Sequence, residues 1–219
     1  MSYELYTIAG APRPWRAMLG LIAKGLPFTP RLLEASSKQH KAPAFLALNP
    51  RGRVPVLVRG DFILSESLAI LAYLEREHPE PPLFGRTARE HGQVWEQVMA
   101  VDHHLREAAQ AVVGPLLGVR EAVPEATLMQ AGSILCGELA RLETRLEHAD
   151  FLCGNAISAA DCVAFPEVRL TLRTGERFPE VTARLGLHPL GDAFPRLRRW
   201  LDRIEALPGY DQSFPAHWK

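Results

Sequence analysis

The chain has 219 residues, and 47% of them are hydrophobic, which is enough for one large domain or two small ones with proper cores. Its 25 basic and 25 acidic side chains cancel, so a nucleic-acid partner or an anionic membrane surface has no electrostatic support. Because the sequence also has no signal peptide and no apolar run of membrane-spanning length, we expect a cytoplasmic protein without membrane contact.

The N-terminal part of the chain alternates short strands with helices. We predict a strand over 4–8, a helix over 14–24, and a second strand over 29–34. A polar loop then leads to a hairpin with strands over 54–58 and 62–64, joined by a turn in which glycine supplies the positive φ. The order of strand, helix, strand, hairpin and helix predicts a thioredoxin-like fold, with the parallel strands joined by a right-handed crossover.

The helix after the hairpin begins with a polar triplet, Ser65, Glu66 and Ser67, and runs to about residue 77. Its first-turn N–H groups have no partner within the helix, and together with the Ser67 hydroxyl they suit a carboxylate. Glu66 beside them suits an ammonium group. Each residue alone also fits a structural role, as a helix cap or a first-turn acid. Their combination favours a site for an amino-acid-like head group.

Apolar residues recur at helical spacing from residue 87 onward. We predict four long helices in this part, over 94–111, 125–148, 159–173 and 195–207. Ser158 and Asp161 form a capping-box pattern at the start of the third helix, which indicates a folding role for Asp161 rather than a catalytic one. The interval 174–195 is rich in glycine and proline and gives no predicted element.

Prolines at 79, 81 and 82 mark a stiff linker between these two parts. The predicted fold class is therefore α/β followed by all-α. We predict a thioredoxin-like domain over 1–79, a linker over 80–86 and an all-helical domain over 87–219.

Cysteine and histidine usage excludes several kinds of chemistry. The three cysteines form no Cys-x-x-Cys pair, and no thiol stands at the start of the first helix, so dithiol oxidoreductase chemistry is not expected. No histidine pair has zinc-ligand spacing, and no phosphate-binding glycine loop or serine-hydrolase motif occurs. We expect no bound metal.

A stretch from the loop before the hairpin to the third helix resembles the cytosolic glutathione transferases, especially theta-like and bacterial members. The resemblance lies in a Val54-Pro55 step followed by Glu66 and Ser67 at a helix start. In that family the proline is cis, an arrangement that is inexpensive only before proline. The resemblance implies that Val54 offers its main-chain N–H and C=O to the cysteinyl part of glutathione. It also implies that Glu66 and Ser67 hold the γ-glutamyl end.

Two basic positions extend the resemblance. His40, in the run from Gln39 to Phe45, and Arg53 stand where theta-like proteins have side chains that contact the glycyl carboxylate. Either residue alone also fits a solvated loop position. The resemblance implies a homodimeric detoxification enzyme, a glutathione S-transferase, that uses glutathione as co-substrate and conjugates its thiolate to a small, apolar electrophile.

The activating group for the thiol is the departure from the family pattern. Family members place a serine or tyrosine hydroxyl near the end of the first strand, where this chain has Ala11. Tyr6 and Arg13 are the remaining candidate catalytic side chains, although a packed strand aromatic and a solvated side chain, respectively, are the favoured roles for them. Two alternatives to conjugation therefore stay open. One is a non-catalytic or weakly catalytic glutathione-binding protein, and the other is a glutathione-dependent peroxidase or isomerase.

Overall fold

The computed structural model describes residues 2–218, which divide into two compact units. Residues 2–83 and 206–218 form the first unit, and Phe84–Glu205 forms the second. The sequence predicted that everything after the linker belongs to the helical domain. The structure instead groups residues 206–218 with the N-terminal part of the chain.

A four-stranded sheet organises the first unit. Its strands are β1 (Tyr3–Thr7), β2 (Phe28–Leu32), β3 (Val56–Arg59) and β4 (Phe62–Ser65). The strand order is β2-β1-β3-β4, with β1 parallel to β2 and the other pairs antiparallel. The helices are α1 (Pro12–Ala23), α2 (Pro43–Leu48) and α3 (Ser67–Glu77), and a short 3₁₀ turn spans Gln39–Lys41. This is the predicted thioredoxin-like arrangement, and the fold-class prediction is confirmed.

The core of the first unit lies between the sheet and helices α1 and α3. Alternation along β1 buries Tyr3, Leu5 and Thr7 on one face of the sheet, as period-2 geometry requires. On α3 the fully buried side chains are Ile70, Leu71 and Leu74. The neighbouring Leu68 is only half-buried.

The segment after the second unit completes this core with aromatic side chains. The Trp15 side chain, 1% exposed, donates from its indole N–H to the hydroxyl of Ser213 at 3.0 Å. Its ring also contacts the rings of Phe214 and Trp218 edge-on. Burial of large aromatic surfaces therefore explains why residues 206–218 pack with the N-terminal part of the chain.

The second unit is helical. Its helices are α4 (Ala88–Ala100), α5 (Arg106–Leu116), α6 (Glu125–Arg145), α7 (Ala159–Arg177), α8 (Pro179–Arg184), α9 (Leu190–Ala193) and α10 (Pro195–Glu205). A π-helical turn, Val101–Leu105, joins α4 to α5, so the helix predicted over 94–111 continues beyond both ends. The interval 174–195 contains the end of α7 and the two short helices. Within residues 2–218, no helix combines the length and apolarity needed to cross a membrane.

Two carboxylates cap the N-termini of helices in this unit. Asp161, fully buried, accepts hydrogen bonds from the N–H and hydroxyl of Ser158 at 2.8 and 2.7 Å, and from Leu152 N–H and the Trp200 indole at 2.8 Å each. These bonds confirm the predicted capping role of Asp161. Glu143 of α6 caps α10 in a similar way, accepting from the main-chain N–H groups of residues 196 and 197 at 2.9 and 2.8 Å.

Candidate functional site

The register of the sheet brings three connecting segments to the same edge, here meaning the end of the sheet at which β1 ends and β3 begins. Tyr6 of β1 pairs with Val56 of β3, and Val56 pairs with Ser65 of β4. The chain therefore leaves β1, enters β3 and leaves β4 at the same edge of the sheet. The turn before α1, the Val54-Pro55 step and the start of α3 are neighbours because of this topology.

The Val54-Pro55 step presents free main-chain groups at this edge. Its peptide bond is cis, as the family resemblance implied. Val54 lies two residues before the start of β3, and within residues 2–218 its N–H and C=O have no hydrogen-bond partner. An extended peptide can pair with such a segment as an added strand does.

Glu66 and Ser67, the two residues predicted to bind the amino-acid head group, lie at the start of α3, and their side chains have no partners within the part of the chain that the structure describes. Glu66 is the N-cap residue, yet neither it nor a neighbouring side chain caps the helix. Its carboxylate is exposed and forms no ion pair with any residue in the range 2–218. Ser67, 4% exposed, lies one position later, and its hydroxyl has no partner among the described residues. The capping interpretation of these residues therefore does not hold in this structure.

The backbone at Glu66 is strained. Its φ is +72°, and in the described chain only Lys38 and Glu66 are non-glycine residues with positive φ. Such conformations cost about 1–3 kcal/mol and are found preferentially at functional sites. The strained residue immediately precedes the free N–H groups of residues 67–69, because the first helical bond runs from Ile70 N–H to Glu66 C=O at 3.0 Å.

The loop before the Val54-Pro55 step is held against the turn that carries His40. Asn49, 4% exposed, donates to the C=O of Arg53 at 2.7 Å and accepts from the N–H of Arg51 at 3.1 Å. At Gly52, with φ of +58°, a Cβ atom would lie 2.8 Å from the His40 C=O oxygen. Only glycine permits this close approach, so the structure brings His40 and Arg53 to adjoining loops.

The two basic side chains of these loops are left without partners in the described part of the chain. The His40 Nδ1 atom is buried and has no hydrogen-bond partner among residues 2–218, and the Arg53 guanidinium is exposed. Asn49, which positions Arg53, was not predicted from the sequence. An asparagine before proline is typical of an Asx turn, and this signal could have identified it.

The start of α1 has few groups that could stabilise an anion. Ala11 is its N-cap residue and has no side chain to donate or accept a hydrogen bond. Pro12 and Pro14, the first and third helical residues, have no N–H. The Trp15 N–H bonds to the Ala11 C=O at 3.3 Å, which leaves the Arg13 N–H as the free donor of this turn. The Arg13 side chain forms no ion pair within residues 2–218.

The hydroxyls near the end of β1 face away from each other. The Tyr6 ring packs against Phe45 of α2 with centroids 5.7 Å apart, whereas Thr7 is 3% exposed on the opposite face. The Thr7 hydroxyl makes only a long contact of 3.5 Å with the adjacent Ile8 C=O. Tyr6 thus has the packing role expected of a strand aromatic.

Comparisons with known proteins agree with this geometry. Models of the glutathione S-transferase N-terminal and C-terminal domains match residues 1–76 and 108–208. Glutathione S-transferase theta-1 of Homo sapiens is 31% identical to the chain and aligns with 99% of it and 88% of its own length. The chain belongs to the cytosolic glutathione S-transferase superfamily.

Two further comparisons concern a related isomerase and a solved structure. Maleylacetoacetate isomerase of Pseudomonas aeruginosa is 32% identical over 98% of the chain and 96% of that protein. The solved glutathione S-transferase of the Antarctic clam Laternula elliptica superposes with a TM-score of 0.85 at 25% identity, covering 100% of this chain and 94% of that one. The homologues named glutathione S-transferase support a transferase function for this chain.

Two of the transferase's own thiols are poorly suited to act as nucleophiles. Burial, reinforced by the charge of Asp161, raises the pKa of Cys153 to about 11, and burial also raises the pKa of Cys136. A thiol with such a pKa is almost entirely protonated at neutral pH. Within residues 2–218, no group of three or more His, Cys, Asp and Glu side chains has the arrangement to hold a metal ion.

Proposed function

We propose that this transferase binds glutathione along the sheet edge formed by the Val54-Pro55 step and the start of α3. The observation that carries the proposal is the set of unsatisfied groups at the start of α3, where the hydroxyl of Ser67 and three free N–H groups adjoin an unpaired carboxylate. A carboxylate from a ligand would satisfy the donors, and its ammonium group would pair with Glu66. The γ-glutamyl end of glutathione carries both groups on one carbon.

The rest of glutathione follows from the positions of the other segments. Val54 would pair with the cysteinyl residue through its free N–H and C=O. His40 and Arg53, on adjoining loops, would receive the glycyl carboxylate. The cysteinyl sulfur would then lie beside the Ala11 turn, since that turn shares the sheet edge.

The proposed reaction is attack of the glutathione thiolate on an electrophilic carbon of a small, apolar acceptor. A carbon–sulfur bond forms, and the acceptor's leaving group departs with the bonding electrons. A free thiol with a pKa near 8.5 is only a few per cent thiolate at neutral pH. Because Ala11 supplies no hydroxyl, we propose a slow conjugating enzyme that binds glutathione but lowers the pKa of its thiol only slightly.

Isomerisation is a second candidate reaction. Its support is the full-length similarity to maleylacetoacetate isomerase of Pseudomonas aeruginosa. In an isomerisation, glutathione is recovered unchanged, whereas conjugation consumes one thiol per turnover. Counting the remaining thiols after product formation therefore separates the two reactions.

Titration calorimetry with glutathione, followed by turnover of 1-chloro-2,4-dinitrobenzene, tests the proposal. We expect binding at millimolar glutathione or below and slow release of chloride with formation of the thioether. Failure to bind glutathione would refute the site itself. Binding without turnover of any electrophile in a panel would leave a glutathione-binding protein and refute conjugation.

We further propose a homodimer, as superfamily membership suggests, and a cytoplasmic location. Exposed apolar side chains at the edge strand β4, Phe62 and Ile63, are compatible with an interface. Sedimentation equilibrium should give twice the mass of one chain, 24.3 kDa. A monomer mass at micromolar protein would contradict the dimer.

A further inference from the structure

The second unit contains a cavity of about 520 Å³ between α4, the π-helical turn and α6. All of its lining residues belong to Phe84–Glu205, so it shares no residue with the proposed glutathione site. The π-helical turn supplies Val101, His104 and Leu105 to its wall, and such turns are frequent at functional sites. Its volume is typical of a small-molecule site.

The buried part of the lining contains an amide group without a partner. Gln97 is 4% exposed, and its side chain forms no hydrogen bond with any residue in the range 2–218. The lining residues Val101, Leu105 and Leu142 are buried as well, and all three are apolar. Because buried polar side chains nearly always have a hydrogen-bond partner, a ligand with an amide or carbonyl group would complete this surface.

The exposed part of the lining carries one unpaired charge of each sign. Arg145 of α6 and Glu96 of α4 are both exposed, and neither forms an ion pair with a described residue. Arg141, one turn before Arg145, lies 3.4 Å from the carboxylate of Glu138. Arg145 is therefore the guanidinium that is available to a ligand carboxylate. Glu96 disfavours a second negative charge on the same ligand, so a monoanion fits best.

We propose that this cavity binds an N-acylated apolar amino acid. Its carboxylate pairs with Arg145, its acyl amide forms hydrogen bonds with Gln97, and its apolar side chain contacts the buried aliphatic residues of the lining. A free amino acid lacks the amide, and its ammonium group gains little from Glu96, because water screens that exposed carboxylate. The proposal is independent of glutathione binding, since the two sites have no residue in common.

Calorimetry on the full chain with N-acetyl-L-leucine, N-acetyl-L-leucinamide and L-leucine tests the proposal. We expect a Kd of about 1 mM or lower for N-acetyl-L-leucine, and binding at least about 10-fold weaker for the other two, which lack the carboxylate or the acyl amide. Saturating glutathione should leave the first Kd unchanged. No binding of N-acetyl-L-leucine at millimolar concentration, or equal affinity for all three compounds, would overturn the proposal. Displacement by glutathione would also overturn it, because the ligand would then lie at the sheet edge of the first unit.

Two variants locate the ligand in this cavity. Gln97→Leu removes the buried amide at similar volume, and Arg145→Gln removes the charge at an exposed position, where folding is not at risk. Each should weaken binding of N-acetyl-L-leucine about 5- to 10-fold. Gln130→Leu and Arg199→Gln are the matched controls, because both residues are exposed and lie outside the lining, and their Kd should stay within about twofold of the parent value. Binding by Gln97→Leu or Arg145→Gln that equals its control would overturn the assigned contact, whereas a parent protein that binds N-acetyl-L-leucine but no glutathione would overturn only the proposed function.

Discussion

Two helices begin at the same sheet edge, and they are equipped in opposite ways. The start of α3 has a buried hydroxyl at Ser67, an unpaired carboxylate at Glu66 and three free N–H groups. The start of α1 has Ala11 without a functional group and two prolines without N–H, so that one free main-chain donor remains. Their dipoles are equally able to favour an anion, but only the first has the donors to bind one.

This difference separates binding from activation. A strained backbone costs stability, and α3 retains one at its first turn, beside the unpaired side chains of Glu66 and Ser67. Such costs are expected where a ligand supplies the missing partners. The start of α1 has alanine at its cap position, where the family resemblance implies a thiol-activating hydroxyl. If the proposed function is correct, the molecule is better equipped to bind glutathione than to activate its thiol.

The largest effect is expected from restoring a hydroxyl at α1. Ala11→Ser should lower the pKa of the bound glutathione thiol by one unit or more, because a hydrogen bond to a charged group contributes about 1.5–3 kcal/mol. The turnover number over KM for 1-chloro-2,4-dinitrobenzene at pH 6.5 should then rise about 10- to 100-fold. Thiolate absorbance at 240 nm, followed against pH, measures the pKa directly.

Ala9→Ser is the control for this gain, since it adds a hydroxyl to the same turn two residues earlier. It should leave both the pKa and the rate near their parent values. A serine at the N-cap also stabilises a helix by about 1 kcal/mol, so a melting curve must accompany the kinetics. An unchanged thiol pKa in Ala11→Ser would show that α1 is not the activating element.

Removing the Ser67 hydroxyl tests the role of the start of α3 in binding. Ser67→Ala should weaken glutathione binding about 10-fold or more, because the hydroxyl would bond a carboxylate in a buried position. Ser65→Ala is the matched control, since Ser65 pairs within the hairpin two residues earlier and should bind normally. Calorimetry with glutathione measures both. Equal affinities for the two variants would return Ser67 to a purely structural role.

Glu66→Gly separates stability from binding at the same helix. Glycine accepts positive φ without penalty, so the free energy of unfolding should rise by about 1 kcal/mol. Glutathione affinity should fall about 5- to 10-fold, because the ammonium group loses its partner. Urea denaturation measures the first effect and calorimetry the second.

Lys38→Gly makes the same backbone change at φ of +55°, outside the start of α3. It should stabilise the protein to a similar degree and bind glutathione as the parent does. If Glu66→Gly were destabilising, the backbone there would not be strained, and the case for a functional residue would weaken accordingly.

The sequence predicted the start of α3 better than the start of α1, for physical reasons. The hairpin and the triplet from Ser65 to Ser67 are local patterns, so the hairpin and the helix start were predicted from the residues, whereas the cis Val54-Pro55 bond was implied by the family resemblance. Asn49 and Gly52 act through contacts between loops, and such contacts leave little trace in a single sequence. The return of Trp218 to the Gly10 turn connects opposite ends of the chain, and no periodicity or motif indicates it.

Arg13 is the charged side chain at the start of α1, and its removal should have the smallest effect. A half-exposed guanidinium acts through water-screened charge, so Arg13→Gln should raise the bound thiol pKa by about half a unit. The rate at pH 6.5 would then fall about threefold, and the loss would vanish above the thiol pKa, where the thiol is ionised in both proteins. Arg51→Gln, at an exposed position of the Asn49 loop, is the charge-matched control. A loss beyond about tenfold would mean that Arg13 replaces the missing hydroxyl, and the two helix starts would then be equipped alike.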